Sequence, residues 1–272
     1  MEKHPFTTNR WLENNPNQDL IDKWINNDKY FAYIPNPKIK SIFLGSFPIW
    51  QISIGDVTPE NFEFYYGSRY NDFWNCLGHI LNVNVNNLEN RLYILNKYEF
   101  GITDILKKIK RNPINSNQDK DLEGLEYNDI LGLRDNYDSI INIYITSGGK
   151  GSIGNLQTKN VATWFKDSLN NYIPVGFNKN SFVKRIIINN IKINLIYLYS
   201  PSNSANTPLQ GVLNKNNNFG IQNLDISTFR RLQWGYFLKK FHFENIHSID
   251  NLEIIWNRVN QNQQLLNFFE NN

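Results

Sequence analysis

The chain holds a single cysteine, Cys76, and that scarcity closes several routes at once. One thiol makes no internal disulfide, no CxxC redox pair and no all-cysteine iron–sulfur cluster. Histidine is nearly as rare. His4, His79, His242 and His247 are scattered over 272 residues without the spacing of a zinc site, so no metal is expected. No apolar run approaches the ~20 residues of a membrane span. The opening MEKHPFTTNRW is too polar for a secretory leader. The expectation is a soluble protein of a reducing cytoplasm with no membrane contact. No Gly/Ser-rich linker, internal repeat or shift of composition divides the sequence. Residues 1–272 read as one domain, with an N-terminal cap over 1–40, a core over 41–241 and a C-terminal helical extension over 242–272.

Two familiar catalytic loops are also missing. Ser147-Gly148-Gly149-Lys150-Gly151-Ser152 lacks the G-x-x-x-x-G-K-[ST] spacing, and no G-x-G-x-x-G follows a strand. This segment reads as a strand-exit turn. Ser46, Ser147 and Ser200 sit in no G-x-S-x-G, and no histidine is placed near them as base.

What the chain does have is apolar mass. Hydrophobic residues make up 40% and aromatics 14%, ample for a packed core. A net charge of +3 suits a nucleic-acid partner and an ordinary surface equally. Met1 to Lys40 reads as one or two short helices, with Trp11, Leu20, Ile21, Trp24 and Ile25 as an apolar stripe. Strands at Ile42, Ile143 and Leu195 each end in a Gly/Ser/Pro loop. Helical patterns fall over Asn71–Leu81, Asp129–Asp138 and Val161–Leu169, the last capped by Thr158 or Asn160, and Leu88–Lys97 reads as a helical or mixed stretch. That order predicts a mainly parallel sheet with helices on both faces, its three loops meeting at one edge. Phe182–Ile188 and Ile191–Tyr199 form a hairpin around Asn189-Asn190. Thr207–Asn223 reads as a long polar loop. A helix over Thr228–Phe241, capped by Ser227, and one or two tail helices follow.

The loops at the expected edge carry carboxamides, hydroxyls and aromatics: Asn71, Tyr66, Phe47, Ser200, Ser202, Asn203 and Asn206. Carboxamides read Watson–Crick edges, and aromatics stack on bases.

These residues resemble a known family. A strand followed by Gly45-Ser46-Phe47-Pro48, then Phe64-Tyr65-Tyr66-Gly67, then Tyr70-Asn71-Asp72-Phe73-Trp74, is similar to the first motif of the uracil-DNA glycosylase superfamily. The nearest branch is the hypoxanthine-type enzymes, followed by the mismatch-specific uracil glycosylases. Gly101-Ile102-Thr103-Asp104-Ile105-Leu106 resembles the element that comes next, and Ile143 to Gly149 resembles the middle strand. Tyr199-Ser200-Pro201-Ser202-Asn203-Ser204-Ala205-Asn206 resembles the second motif. The pieces occur in the family's order from about Lys40 to Phe241. Phe47 stands where the mismatch-specific branch has its catalytic Asn, and Asn71 matches the Asn of the hypoxanthine-type branch. Ser200 stands where uracil-specific enzymes place a His, and the second motif is one residue shorter after Ser204. These departures leave the identity of the base open.

The resemblance implies a three-layer α/β/α fold with a central, mainly parallel sheet and helical additions at both ends. It implies a monomeric DNA glycosylase that hydrolyses the N-glycosidic bond of a flipped-out base and leaves an abasic site, without a cofactor. The partner is DNA, either a duplex with a flipped base or a single strand. Asn71 would position water or grip the base, and Asp104 would orient the water. Phe47, Tyr66 and Ser200 would hold the base. Ser46, Arg69, Ser202, Asn203, Asn206, Arg230 and Arg231 would contact DNA, as would Lys107, Lys108 and Arg111. Leu209 or a neighbour would wedge into the vacated stack. No lysine is placed as a Schiff-base nucleophile, so no β-lyase step is expected. Two alternatives share the motifs: the same chemistry on a bulky modified base of phage DNA as a defence, and an inactive relative that binds DNA.

Overall fold

Alternation along three apolar stretches sets the centre of the molecule. In the computed structural model, Ile42 and Leu44 join one buried cluster while Phe43 joins another. Ile143 and Ile145 part from Tyr144 in the same way, and Leu195 and Tyr197 part from Ile196 and Leu198. A period of two with both sides apolar is a strand covered on both faces. The structure describes residues 1–14, 17–56, 64–146, 161, 164–165, 181–188, 190–244 and 249–270.

In chain order the elements are β1 (Glu2–Lys3), α1 (Asn9–Asn14), α2 (Gln18–Asp22), β2 (Trp24–Asn26), β3 (Phe31–Tyr33) and β4 (Ser41–Gly45). Next come α3 (Trp50–Ile54), α4 (Phe73–Leu81), α5 (Leu88–Lys97), β5 (Phe100–Asp104), β6 (Leu106–Arg111) and β7 (Leu122–Tyr127). Last are β8 (Asn142–Ile145), β9 (Val183–Ile188), β10 (Ile191–Tyr197), α6 (Asn206–Lys215), α7 (Ile226–Phe241), α8 (Asp250–Gln261) and α9 (Gln263–Glu270).

Among the described residues, seven strands form the main sheet in the order β2-β3-β5-β4-β8-β10-β9. The central four, β5, β4, β8 and β10, run parallel. The outer three are antiparallel to their neighbours. The sheet is therefore mixed, and the parallel arrangement expected of it is confined to its centre. The reason is loop length. β9 ends at Ile188 and β10 starts at Ile191, with Asn190 at φ 63°, and a link that short can only reverse the chain. The short link between β2 and β3 does the same.

The N-terminal region is more than a helical cap. It adds β2 and β3 to the main sheet, and β1 completes a small antiparallel sheet of order β1-β6-β7. A strand of two or three residues carries too few side chains to show a period. Over Asp129–Asp138 the structure has a 3-10 turn, Gly132–Asp135, rather than a helix. Part of the expected polar loop after Thr207 is α6, whose Leu209 and Leu213 are buried one turn apart. Asp225, rather than Ser227, caps α7, its carboxylate accepting from the Thr228 amide at 2.6 Å. The segment Ser147–Ser152 and the caps Thr158 and Asn160 lie outside the described residues, as does most of Val161–Leu169. Val161, Trp164 and Phe165 pack into the second cluster. The tail helices are as expected, and Leu252, Ile255, Val259 and Leu265 share a cluster with α4 and α7.

One buried carboxamide ties the N-terminal strands to the parallel core. β3 and β5 share a single ladder pair, Tyr33↔Ile102. Asn128 fills the gap. Its Oδ1 accepts from the Phe31 amide (3.0 Å), and its Nδ2 donates to Phe31 O (2.9 Å), Thr103 Oγ1 (2.7 Å) and Asp104 O (2.9 Å). Asn128→Ala removes these bonds together, leaving Phe31 O only its bond from Thr103 Oγ1, and the expected loss is about 3 kcal/mol in urea unfolding. A loss under about 1 kcal/mol would contradict the bracing role.

Candidate active site

The strand registers align four carboxyl ends. Gly45 lies opposite Asp104, while Leu44 and Tyr197 both lie opposite Ile145. Asp104, Gly45, Thr146 and Leu198 thus leave the sheet along one line. Open α/β sheets hold ligands in the crevice outside such ends.

Two side chains cross over Gly45. A Cβ there would collide with Asp104 Oδ1 and Tyr66 Oη, so glycine is what lets carboxylate and phenol lie over this strand end. Asp104 is 4% exposed, and its Oδ2 accepts from His4 Nε2 at 2.9 Å. Tyr66 has φ 52°, a left-handed backbone that costs a non-glycine residue roughly 1–2 kcal/mol. Packing over-determines it. Its ring lies flat on Phe73, with centroids 4.0 Å apart and planes 2° from parallel. Trp74 Nε1 donates to the neighbouring Tyr65 carbonyl at 2.7 Å. Thr146 gives its hydroxyl proton to Leu44 O (3.0 Å), so Tyr66 Oη donates to Thr146 Oγ1 (2.7 Å). Burial, and then the Asp104 carboxylate, push the Tyr66 hydroxyl well above the usual tyrosine range, so it stays a neutral donor. Phe47 packs edge-on to His4 at 5.0 Å, under the Arg111 guanidinium.

A second group begins beyond Phe73. Asn71 Oδ1 accepts from the Phe73 amide at 2.9 Å at the start of α4. Because an N–H must meet an oxygen, this bond fixes the orientation of the carboxamide and leaves Nδ2 as its donor. Asn71 pairs with Ser202 in an isolated bridge, Asp72 N donates to Pro201 O (2.9 Å), and Asn203 N donates to Tyr70 O (3.4 Å). Behind them Arg230, 3% exposed, reaches Asp72 Oδ2 (3.1 Å) and Asn206 Oδ1 (2.9 Å). Ser227 Oγ donates to the same Asp72 oxygen at 3.3 Å. These residues enclose part of a cavity of about 440 Å³, whose lining includes Arg69, Asn71, Asn75, Asn203, Asn206 and Gln210. Phe73 joins the two groups, its ring under Tyr66 and its amide on Asn71.

The cavity gathers Asn71, Arg69, Asn203, Asn206 and Arg230, whereas Asp104, Phe47, Tyr66, Ser46 and Ser200 stand outside its lining. Several expected DNA contacts have other work. Arg230 is a buried latch. Leu209, 2% exposed, packs into the core and offers no wedge in this conformation. Arg231 is half-buried within electrostatic reach of Cys76 and His79. Lys107 Nζ donates to the Asn27 and Asp28 carbonyls, Lys108 pairs with Glu126, and buried Arg111 binds Glu2, Pro48 O and Ser116 O. Ser200 Oγ accepts from Ser202 N (3.2 Å) and Ser202 Oγ from Ser204 N (3.3 Å), so both shape their own loop. Sequence reading passed over His4, Asp72 and Thr146. Asp72 was visible beside Asn71, but its partner lies 158 residues away.

Fold and site together define a class: a mixed α/β protein with a polar, carboxamide-lined site at the carboxyl edge of its parallel strands. No protein-family model matches the chain. Over 107 residues it is 34% identical to the hypoxanthine DNA glycosylase of Methanosarcina barkeri (strain Fusaro / DSM 804), a distant relative. The aligned part is 39% of this chain, and the chain spans 61% of the length of that relative.

Removing one partner of the latch strands a buried guanidinium. Asp72→Ala should therefore cost about 2–3 kcal/mol, at the low side for a buried pair because Asp72 is partly exposed. Arg230→Met in the Asp72→Ala background should recover part of that loss. Thermal unfolding of the two variants checks both signs.

Proposed function

We propose that this chain is a monofunctional DNA glycosylase with a three-layer uracil-DNA-glycosylase-type architecture, which hydrolyses the N-glycosidic bond of a flipped-out base. One observation carries the reading. The stretch Tyr70–Asp72 and the stretch Pro201–Asn203, both similar in sequence to glycosylase motifs, are bonded to each other at the edge of a carboxamide-lined cavity. The relationship to a hypoxanthine DNA glycosylase supports it.

The chemistry asks for three things. The C1′–N bond breaks with its electron pair leaving on the base, the sugar turns cationic, and one water closes the reaction. Asn71, with one lone pair committed to Phe73, acts as a donor through Nδ2 and grips an acceptor on the base as negative charge grows there. The Asp104 carboxylate faces the cationic sugar, holds the water and takes its proton as the water oxygen bonds C1′. Phe73 covers one face of Tyr66, so a base stacks on the other. Arg69 and Asn203, exposed at the cavity rim, meet backbone phosphates. With Leu209 buried, Tyr70 is the aromatic in position to stack in the vacated gap. It is 58% exposed at the same rim, with Arg69 over its ring at 4.7 Å.

Duplexes carrying hypoxanthine, uracil, xanthine or modified cytosines, treated with alkali after incubation, test the reading. Cleavage on at least one is expected. Single-turnover rates should fall on the order of 10²-fold or more in Asn71→Ala and Asp104→Asn, with DNA binding retained. Tyr70→Ala should weaken binding roughly 10-fold, the size of one lost base stack. Tight binding without cleavage of any duplex would make the chain an inactive relative. Full activity in Asn71→Ala would remove that residue from the mechanism.

A further inference from the structure

His4 directly follows β1 and is fully buried. Its amide donates to Lys107 O at 2.9 Å, extending the pairing of Lys3 with Lys108, and the ion pair of Glu2 with Arg111 holds the strand in place. The imidazole is enclosed by the rings of Phe6, Phe31, Phe47 and Tyr65, with centroids 4.4 to 6.0 Å away. Its Nε2 meets Asp104 Oδ2, one hundred residues along the chain, and its Nδ1 is buried without a partner.

That orphaned nitrogen decides the protonation state. An imidazolium would bury a second N–H donor among aromatic rings with no acceptor, whereas the neutral ring leaves only a lone pair there. Burial holds the imidazole below its ordinary value in the same sense. The single proton therefore sits on Nε2 and is donated to Asp104. A neutral donor aims a carboxylate without cancelling its charge. At the other end Asn128 Nδ2 fixes the Asp104 carbonyl at 2.9 Å. Oδ1 then lies over Gly45, beside Tyr66 Oη.

We infer that His4 is a positioning residue, holding Asp104 Oδ2 so that an uncompensated Oδ1 is presented to the water and the cationic sugar. This rests on the reading of Asp104 as the group that holds the water. The titratable groups facing Asp104 are His4, Tyr65 and Tyr66, and both tyrosine hydroxyls are pushed well above their usual range. Neither phenol titrates where the reaction runs.

His4→Leu fills the aromatic cage without a donor, and His4→Gln keeps an N–H donor in a neutral side chain. On the duplex the wild-type chain cleaves, His4→Leu should stay folded at the assay temperature, with a lowered melting temperature because a buried carboxylate loses its donor, and should keep its affinity for abasic-analogue DNA. Its single-turnover rate should fall roughly 10- to 100-fold, the size seen when a group orienting a functional residue is removed. His4→Gln should recover most of the rate. A folded His4→Leu with wild-type rate overturns the inference. If His4→Leu does not fold, His4→Gln decides: a retained rate supports the inference, and a lost rate with melting temperature and binding intact overturns it. Absence of cleavage by the wild-type chain on every duplex overturns the glycosylase reading and this inference with it.

Discussion

The guanidinium of Arg230 is the interaction on which the candidate site depends. A buried cation must be paired, and Arg230 finds its partners on two separate segments, Asp72 before α4 and Asn206 at the start of α6. Meeting that requirement locks the two loops against each other. The Asp72–Pro201 backbone bond and the Asn71–Ser202 bridge then follow with little further freedom. Asn71 inherits its orientation from this arrangement, because the start of α4 is fixed and its Oδ1 must satisfy the Phe73 amide. The residue proposed to grip the base is thus oriented by a charge it does not touch.

A second constraint acts over the neighbouring strand ends. Gly45 has no side chain, so Asp104 and Tyr66 can occupy the space above it. Tyr66 accepts an unfavourable backbone conformation to do so, and Phe73 and Thr146 hold it there. Phe73 transmits order between the two groups, since its ring and its amide serve different partners. This is why a stretch of nine residues, Tyr65 to Phe73, contributes to both.

The central sheet was legible because strands at Ile42, Ile143 and Leu195 are long enough to show a period and end in loop-forming residues. Their parallel adjacency followed from the helical patterns between them. The antiparallel pairing of β9 with β10 was legible from the short polar link between two apolar runs. The small strands at Glu2 and Trp24 were not, since two or three residues define no period and their pairing is decided by distant partners. The cavity residues Asn71, Asn203 and Asn206 could be found because their residue types suit base recognition. Arg230 was read as a phosphate contact and the structure pairs it with Asp72: sequence shows a charge but not which partners it meets across the fold. Leu209 illustrates the converse, an apolar residue in a polar segment that reads as an exposed wedge until Leu213 is seen to share its face. His4 carried no local signal, because its meaning lies wholly in a contact one hundred residues away.

The two groups divide the electrostatic work in a way that bears on specificity. Arg230 is matched by Asp72, so the cavity presents Asn71, Asn75, Asn203, Asn206 and Gln210 more than it presents net charge. Carboxamides discriminate by the pattern of donors and acceptors they leave free, and that pattern is set here by which atoms are already used. Asn206 Oδ1 is taken by Arg230 and Asn71 Oδ1 by Phe73, so both offer donors, whereas Gln210 gives its amide to Asn214 Oδ1 and keeps its carbonyl oxygen as an acceptor. A base whose donors and acceptors do not match that set leaves a buried polar group without a partner, which is the costly case. In the proposed mechanism the reacting charge resides elsewhere, on Asp104 with His4 as its partner. Recognition of the base and catalysis would then fall on separate side chains, so that the base accepted could change with the carboxamides while the chemistry over Gly45 stays the same.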